Sequence, residues 1–321
     1  MTAAGVPRGR RGWLGLLPWL ITAACFFYLY TRLGAVAARH GQTPLPYLAQ
    51  VFAGVAWGSW LALMIPYSLF YFLIDSAVVW RVVRWFNAPL RYSDVLPIRG
   101  SSFILSIVNE QVGKGAMGLY LNRRYGTPGW EIASSLFFIM FCEFYYLLAW
   151  AIVGWALRRD ELPPEFGALT WLGGAAALFL ALWLAFFRGS IAPASPLRER
   201  PVFHAFRRAH LGHYLGIMAL RSPALLAAAV VYAGCARLFG VETSALAMLS
   251  YVPVVFFGAA TPGPMRSVAI TLWVLLFPGH EGAMTAFGLV QHNFFIFFNA
   301  AIGLLFLRRA NRELFGMEDP R

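Results

Sequence analysis

Apolar runs of about twenty residues, separated by short arginine-bearing stretches, set the rhythm of this chain. Uninterrupted runs lie at about 13–33, 56–80, 130–157, 168–187, 214–238 and 284–307. At 1.5 Å per residue each predicts a helix long enough to cross a hydrocarbon core of ~30 Å. Two further stretches, 95–124 and 244–278, are apolar but interrupted. The first is broken at its centre, where SSFILSIVNEQVGKGAMGLYLNRR (Ser101–Arg124) carries Asn109, Glu110, three glycines and Lys114, the only lysine of the sequence. The second is broken at GAATPGPMR (Gly258–Arg266), whose prolines stop one helix and preset the next. Hydrocarbon tolerates such breaks only where protein or a water-filled cavity shelters the backbone. The pattern predicts an all-α polytopic integral membrane protein with six firm transmembrane helices plus two broken or re-entrant helical hairpins, about eight membrane segments in two halves.

Arginine placement orients the spans. Clusters at Arg8, Arg10 and Arg11, at Arg81, Arg84 and Arg91, at Arg188, Arg198, Arg200, Arg207 and Arg208, and at Arg308, Arg309 and Arg312 alternate correctly if all face the cytoplasm. Both termini are then cytoplasmic, in a bacterial inner membrane, and 34–50 and 158–167 are external loops. The first apolar run reads as an uncleaved span, because it approaches the ~20 residues needed to cross and Arg32 precedes the signal-peptide-like Ala35-Val36-Ala37. Residues 95–124 begin and end on one side and should enter and return as two half-helices. Residues 244–278 must either re-enter or cross twice. The chain reads as one transmembrane domain, 1–321, with a first half at about 13–187, a basic cytoplasmic linker at 188–213 and a second half at about 214–312. Discontinuous segments at comparable places in two halves point to a transport site.

Composition removes other classes. Hydrophobic residues make up 60% and charged residues 12%, about half the charge of a soluble domain. The net charge of +12 argues for nucleic acid only until the arginines are seen to fall between apolar runs, where they meet anionic lipid. No nucleic-acid partner is expected. Cys25, Cys142 and Cys235 show no metal or disulfide spacing, so neither metal nor cofactor is predicted. His204, His210 and His213 lie in the basic linker, which reads as an amphipathic, lipid-facing segment.

The candidate site residues are the polar groups of the interrupted stretches and of two spans. Ser102, Ser106, Asn109 or Glu110, and Gly113 recur at helical steps and predict a polar wall. Gly113-Lys114-Gly115 would open the second half-helix, where free amides, the helix dipole and Lys114 can bind an anion such as lipid phosphate. Small residues that merely let helices pack explain the serines and glycines as well. Pro262, Gly263 and Arg266 form the corresponding break in the second hairpin, with Arg266 on phosphate or snorkelling to headgroups. In the last span Gly288, His292, Asn299 and Gly303 share a face, a pattern that also serves helix–helix bonding. Glu143 sits mid-span with Lys114 or Arg221 as possible partners, whereas Asp75 is expected to pair with Arg81, Arg84 or the backbone.

In order, these features resemble the flippase-like membrane family typified by the transmembrane domain of lysylphosphatidylglycerol synthases. The resemblance rests on Asn109, Gly113-Lys114-Gly115, Tyr120-LNRRY-Gly126, Glu143 and Thr261-Pro262-Gly263-Pro264, and spans about 14–312. The chain departs from that family at Val112, where the family carries a proline, at Ala116-Met117-Gly118, which lacks the family's acid, at Phe144, where the family has an arginine, and at Pro264 in place of a second glycine. The resemblance implies movement of a phospholipid or lipid-linked headgroup between leaflets. Lys114 and Arg266 would hold phosphate, Glu110 and Glu143 a cationic group, and Asn109 and Asn299 the geometry. A homo-oligomer or a lipid-biosynthesis enzyme is a possible partner. The rival readings are a membrane-embedded lipid-modifying transferase and a non-transporting accessory protein in envelope lipid assembly.

Overall fold

A computed structural model describes residues 9–107, 110–260 and 266–315; the side chains at 9–16, 110–112, 114, 310, 311 and 313–315 lie outside that description. Every regular element among the described residues is helical: α1 (Gly9–Arg39), α2 (Pro44–Ala53), α3 (Trp57–Phe86), α4 (Tyr92–Ser106), α5 (Glu110–Tyr125), α6 (Gly129–Arg158), α7 (Ala168–Phe187), α8 (His204–Arg208), α9 (Leu211–Leu238), α10 (Ala245–Ala260), α11 (Ser267–Leu276) and α12 (Glu281–Phe315), with short 3-10 turns before α7 and α8. Six segments are long and apolar enough to cross a bilayer, at Leu17–Arg39, Trp57–Phe86, Gly129–Arg158, Pro164–Phe187, Leu211–Leu238 and Glu281–Arg309. The chain is a multi-pass, all-α membrane protein, with one span for each run predicted from the sequence.

The interrupted stretches are pairs of short helices. α4 and α5 have 15 and 16 residues, and α10 and α11 have 16 and 10. At 1.5 Å per residue they reach about 15–24 Å, short of a ~30 Å core. Residues 244–278 therefore form a broken hairpin and not two crossings. Gly258 confirms the reversal, because a Cβ there would meet Ala269 Cα at 3.3 Å.

Two compact units divide the chain. In the first (1–60, 234–243 and 254–293), α1 packs on α11, with Leu29 against Ile270 and Val274 and the Ser267 hydroxyl 3.4 Å from that of Thr22. The region expected as an external loop at 34–50 is largely helical: α1 continues to Arg39, and α2 follows with Pro44 at its start and no buried residue. Its Tyr47 ring lies where a side chain on Gly282 would stand.

The second unit (61–233, 244–253 and 294–321) holds the main core, built from Val78, Val82 and Phe86 of α3, Ile98 of α4, Leu121 of α5, Phe138 of α6 and Ile217 of α9. α4 meets α12 backbone to backbone, since a Cβ on Gly303 would strike the Gly100 carbonyl, and one on Gly100 would stand 2.7 Å from the Phe306 ring. Small residues permit such an approach where helices have no hydrophobic gradient to drive them together. α7 buries only Ala176 and leaves Trp171 and Leu178 exposed, as a helix facing lipid must.

The linker is not the lipid-facing amphipath expected. Ala205 and Phe206 are fully buried, and the Phe206 ring packs against Phe137, Phe138, Phe141 and Trp183. The Ala205 N–H donates to Ser134 Oγ at 2.9 Å, while His204 and Arg208 reach the Phe86 carbonyl at 3.1 and 3.3 Å. Burying an aromatic residue beside satisfied polar atoms outweighs leaving it at the headgroup level.

Candidate functional site

Four spanning or half-spanning helices each bring one charged side chain to a common point in the second unit. Asp75 of α3 pairs with Arg99 of α4 and, at 3.3 Å, with Arg221 of α9. The other terminal nitrogen of Arg221 donates to Glu143 of α6 at 3.5 Å. Arg99 also donates to the Ser102 hydroxyl at 3.1 Å, and its guanidinium lies 4.2 Å from the Phe103 ring centre. Two carboxylates and two guanidiniums bring the four formal charges to zero.

Exposure grades across this network. The side chains of Asp75, Arg99 and Arg221 are 4%, 8% and 6% exposed, while that of Glu143 is 30% exposed. The buried end is held by close ion pairs and hydrogen bonds, and the Glu143 end, among the described residues, by a single long one. Arg221 has its Nε donor buried with no acceptor among the described residues. Tyr146 lies beneath the guanidinium, its ring centre 6.0 Å away, and the half-buried Tyr71 stands within electrostatic reach of Asp75, Arg221 and Glu143.

The expected partner of Asp75 is corrected here. Arg81 and Arg84 follow it in sequence but stack on Trp80, at 5.4 Å each. Asp75 faces inward, where Arg99 and Arg221 of other helices meet it among the described residues. Of the two partners considered for Glu143, Arg221 is the one in contact. Arg99 was not singled out from the sequence, although a lone arginine between Ile98 and Phe103 in an apolar hairpin is the signal that marks it.

The glycine turn also takes a different place. Gly113, Lys114 and Gly115 do not open the second half-helix; α5 begins at Glu110, so they lie within its first two turns. Gly113 is a contact glycine: a Cβ there would strike Ser106 Oγ and stand 2.7 Å from the Ser102 carbonyl. Ser102 in turn bonds Arg99, so Gly113 seats α5 on the wall that carries the ion network. Gly115 meets nothing within 4 Å. Opposite outcomes are expected for the two alanine variants. Gly113→Ala should cost about 1–3 kcal/mol by overpacking, whereas Gly115→Ala should be neutral or stabilise by up to about 1 kcal/mol through helix propensity. Thermal unfolding midpoints in detergent micelles read both.

Of the other predicted residues, Arg266 and His292 both belong to the first unit, within electrostatic reach of each other. Asn109, Pro262 and Gly263 lie outside the described residues, as do the side chains of Glu110 and Lys114. Arg266 precedes α11 in a left-handed conformation (φ 50°), one that L residues adopt at a cost of about 1 kcal/mol or more. His292 is 2% exposed and accepts a hydrogen bond from Trp273 Nε1 at 3.2 Å. That contact joins α12 to α11 within the first unit, as a packing bond does. Asn299 is buried in the second unit, its Oδ1 without a hydrogen bond among the described residues. Among the described residues no group of three histidine, cysteine or carboxylate side chains is arranged to hold a metal. No family model, curated protein or solved structure matches the chain.

Proposed function

We propose that this protein is a lipid transporter that carries the headgroup of a phospholipid or lipid-linked molecule between leaflets. The observation behind this reading is the buried ion network of α3, α4, α6 and α9, with Glu143 at its accessible edge. Desolvating each ion costs roughly several kcal/mol, and replacing such groups by apolar ones is often no loss of stability. Charges kept inside spanning helices therefore mark ion or substrate paths by default. A headgroup can compete with Glu143 for Arg221 while Asp75 and Arg99 hold the guanidinium in place. The sequence interrupts both short-helix pairs with glycine, proline or charged residues, and interrupted helices are the usual location of transporter sites.

The resemblance to the flippase-like transmembrane domain of lysylphosphatidylglycerol synthases points to the same activity. Six crossings and two returning hairpins put both termini on one side, which the arginine clusters assign to the cytoplasm. The sequence has no GxxxxGK[ST] loop, so transport is passive or gradient-driven.

Purified protein in vesicles with tail-labelled lipids tests this reading. A membrane-impermeant reductant should bleach label beyond the outer-leaflet fraction only when protein is present, and Glu143→Gln should slow the process by roughly tenfold, the effect of one charged contact. Vesicles in which zwitterionic, anionic and polyprenyl-phosphate lipids all stay on their own side would reject the proposal.

A further inference from the structure

The last turns of α3 carry a polar feature separate from the ion network. At 1.5 Å per residue the 30 residues of this helix reach about 45 Å, well beyond a ~30 Å core, and its arginines set the end at Phe86 among the headgroups. There Arg81 lies over the Trp80 and Trp85 rings, 5.4 and 5.5 Å from their centres, and Arg84 lies over Trp80 at 5.4 Å. Both arginines are exposed. Among the described residues neither forms an ion pair with a carboxylate, whereas Arg124, Arg158 and Arg309 of the same unit each do.

The rings beneath them are held by the protein. Trp80 Nε1 donates to the Leu90 carbonyl at 2.9 Å, and Tyr92 meets the same ring edge-on at 6.0 Å while its own hydroxyl donates to the Leu73 carbonyl. Trp85 packs edge-on to His213 at 4.5 Å. A tryptophan at the membrane surface commonly turns its polar edge to the wet side. Here the Trp80 N–H is bonded to backbone, so the ring acts as a support for the two cations. A guanidinium lying over a ring keeps its donors in its own plane, clear of the ring below, and gives up less freedom when it takes a phosphate.

The same face continues as hydrocarbon. Leu69, Leu73, Ala77, Trp80 and Arg84 recur at steps of four, four, three and four, which is one side of a helix, and Leu69 and Leu73 are 44% and 46% exposed. An acyl chain lying along the two leucines brings its headgroup beside Arg81 and Arg84. We propose that this face of α3 binds an anionic phospholipid, its chain on Leu69 and Leu73 and its phosphate on the two arginines. Charge decides the class. A zwitterionic lipid would set its ammonium beside two arginines that no described carboxylate meets, whereas a phosphoglycerol headgroup brings only negative charge and hydroxyls. No residue of the ion network takes part, so the site stands apart from the transport reading.

The experiment uses purified protein in phosphocholine nanodiscs doped with a phosphoglycerol or a phosphocholine lipid that carries the same photoactivatable acyl chain. After irradiation, peptide mapping should find the phosphoglycerol probe on residues 69–85 roughly tenfold more often than the phosphocholine probe, the scale of two basic contacts to an anionic headgroup. Arg81→Gln combined with Arg84→Gln should abolish that preference and leave the unfolding midpoint nearly unchanged, since both residues are exposed. Arg39→Gln, an exposed arginine on another span, should leave the preference as it is. Equal labelling by the two probes, a preference that survives the double substitution, or one that Arg39→Gln removes as fully overturns the proposal. Inorganic phosphate added at constant ionic strength should not displace the lipid; displacement would assign the arginines to a soluble phosphate and overturn the lipid as their ligand.

Discussion

Arg221→Met is expected to destabilise the protein by about 3–5 kcal/mol, the loss typical of breaking a buried ion pair from one side. The side chain is 6% exposed and serves both Asp75 and Glu143, so its removal leaves two carboxylates facing one guanidinium. Asp75 bears most of this cost, because it is 4% exposed and cannot turn to water. Glu143 can. Glu143→Gln should therefore shift the unfolding midpoint far less than Arg221→Met, although it is the change expected to impair transport. Arg221→Lys should also fail to restore stability fully, since one ammonium cannot span two carboxylates as a fork does. A double-mutant cycle over Asp75→Asn and Arg221→Met in detergent micelles gives the coupling directly. A coupling near zero, or an Arg221→Met protein as stable as wild type, would show that the network contributes nothing to the fold.

The spans were legible because hydrocarbon imposes a length on every apolar run, and the two interrupted stretches because glycine, proline and charge stand out against it. What joins the helices was not legible. Asp75 and Arg221 are 146 positions apart, and no local rule prefers a remote cation over Arg81 or Arg84. Glu143 was visible as an isolated mid-span acid, and Arg221 as a cation within its reach; Arg99 was missed, since an arginine near the start of a hairpin also fits the headgroup level. Gly113-Lys114-Gly115 was misplaced for a different reason. Glycine marks both helix ends and close helix contacts, and only the neighbouring helix decides which. Phe203 and Phe206, which pack against Trp183 and Phe187, are the signal in the basic linker that it packs inward, a signal the reading from its arginines and histidines did not use.

A second large effect is expected at Gly154, where α6 touches α10 without any side chain between. A Cβ at this position would stand 2.6 Å from Ser250 Cα and 2.9 Å from both Ser250 N and the Leu249 carbonyl, all of them backbone atoms that cannot rotate away. The same approach lets the Ser250 hydroxyl donate to the Gly154 carbonyl at 3.1 Å. Gly154→Leu must push the two helices apart, and its cost should reach or exceed the upper end of the ~1–3 kcal/mol usual for overpacking. Ser250→Ala removes only the hydrogen bond and should cost about 1 kcal/mol or less. Gly174→Leu, on the exposed face of α7 with nothing within 4 Å, should be neutral or stabilising. Unfolding midpoints for the three variants separate steric from polar contributions, and equal midpoints for Gly154→Leu and Gly174→Leu would disprove the close contact. The transport rates of the same set add a functional reading. α10 is the first arm of the second broken hairpin, so if that arm stays fixed on α6 while headgroups move, Ser250→Ala should leave the rate unchanged. If the arm must slide along α6, loosening the bond at Ser250 should alter the rate while the midpoint barely moves.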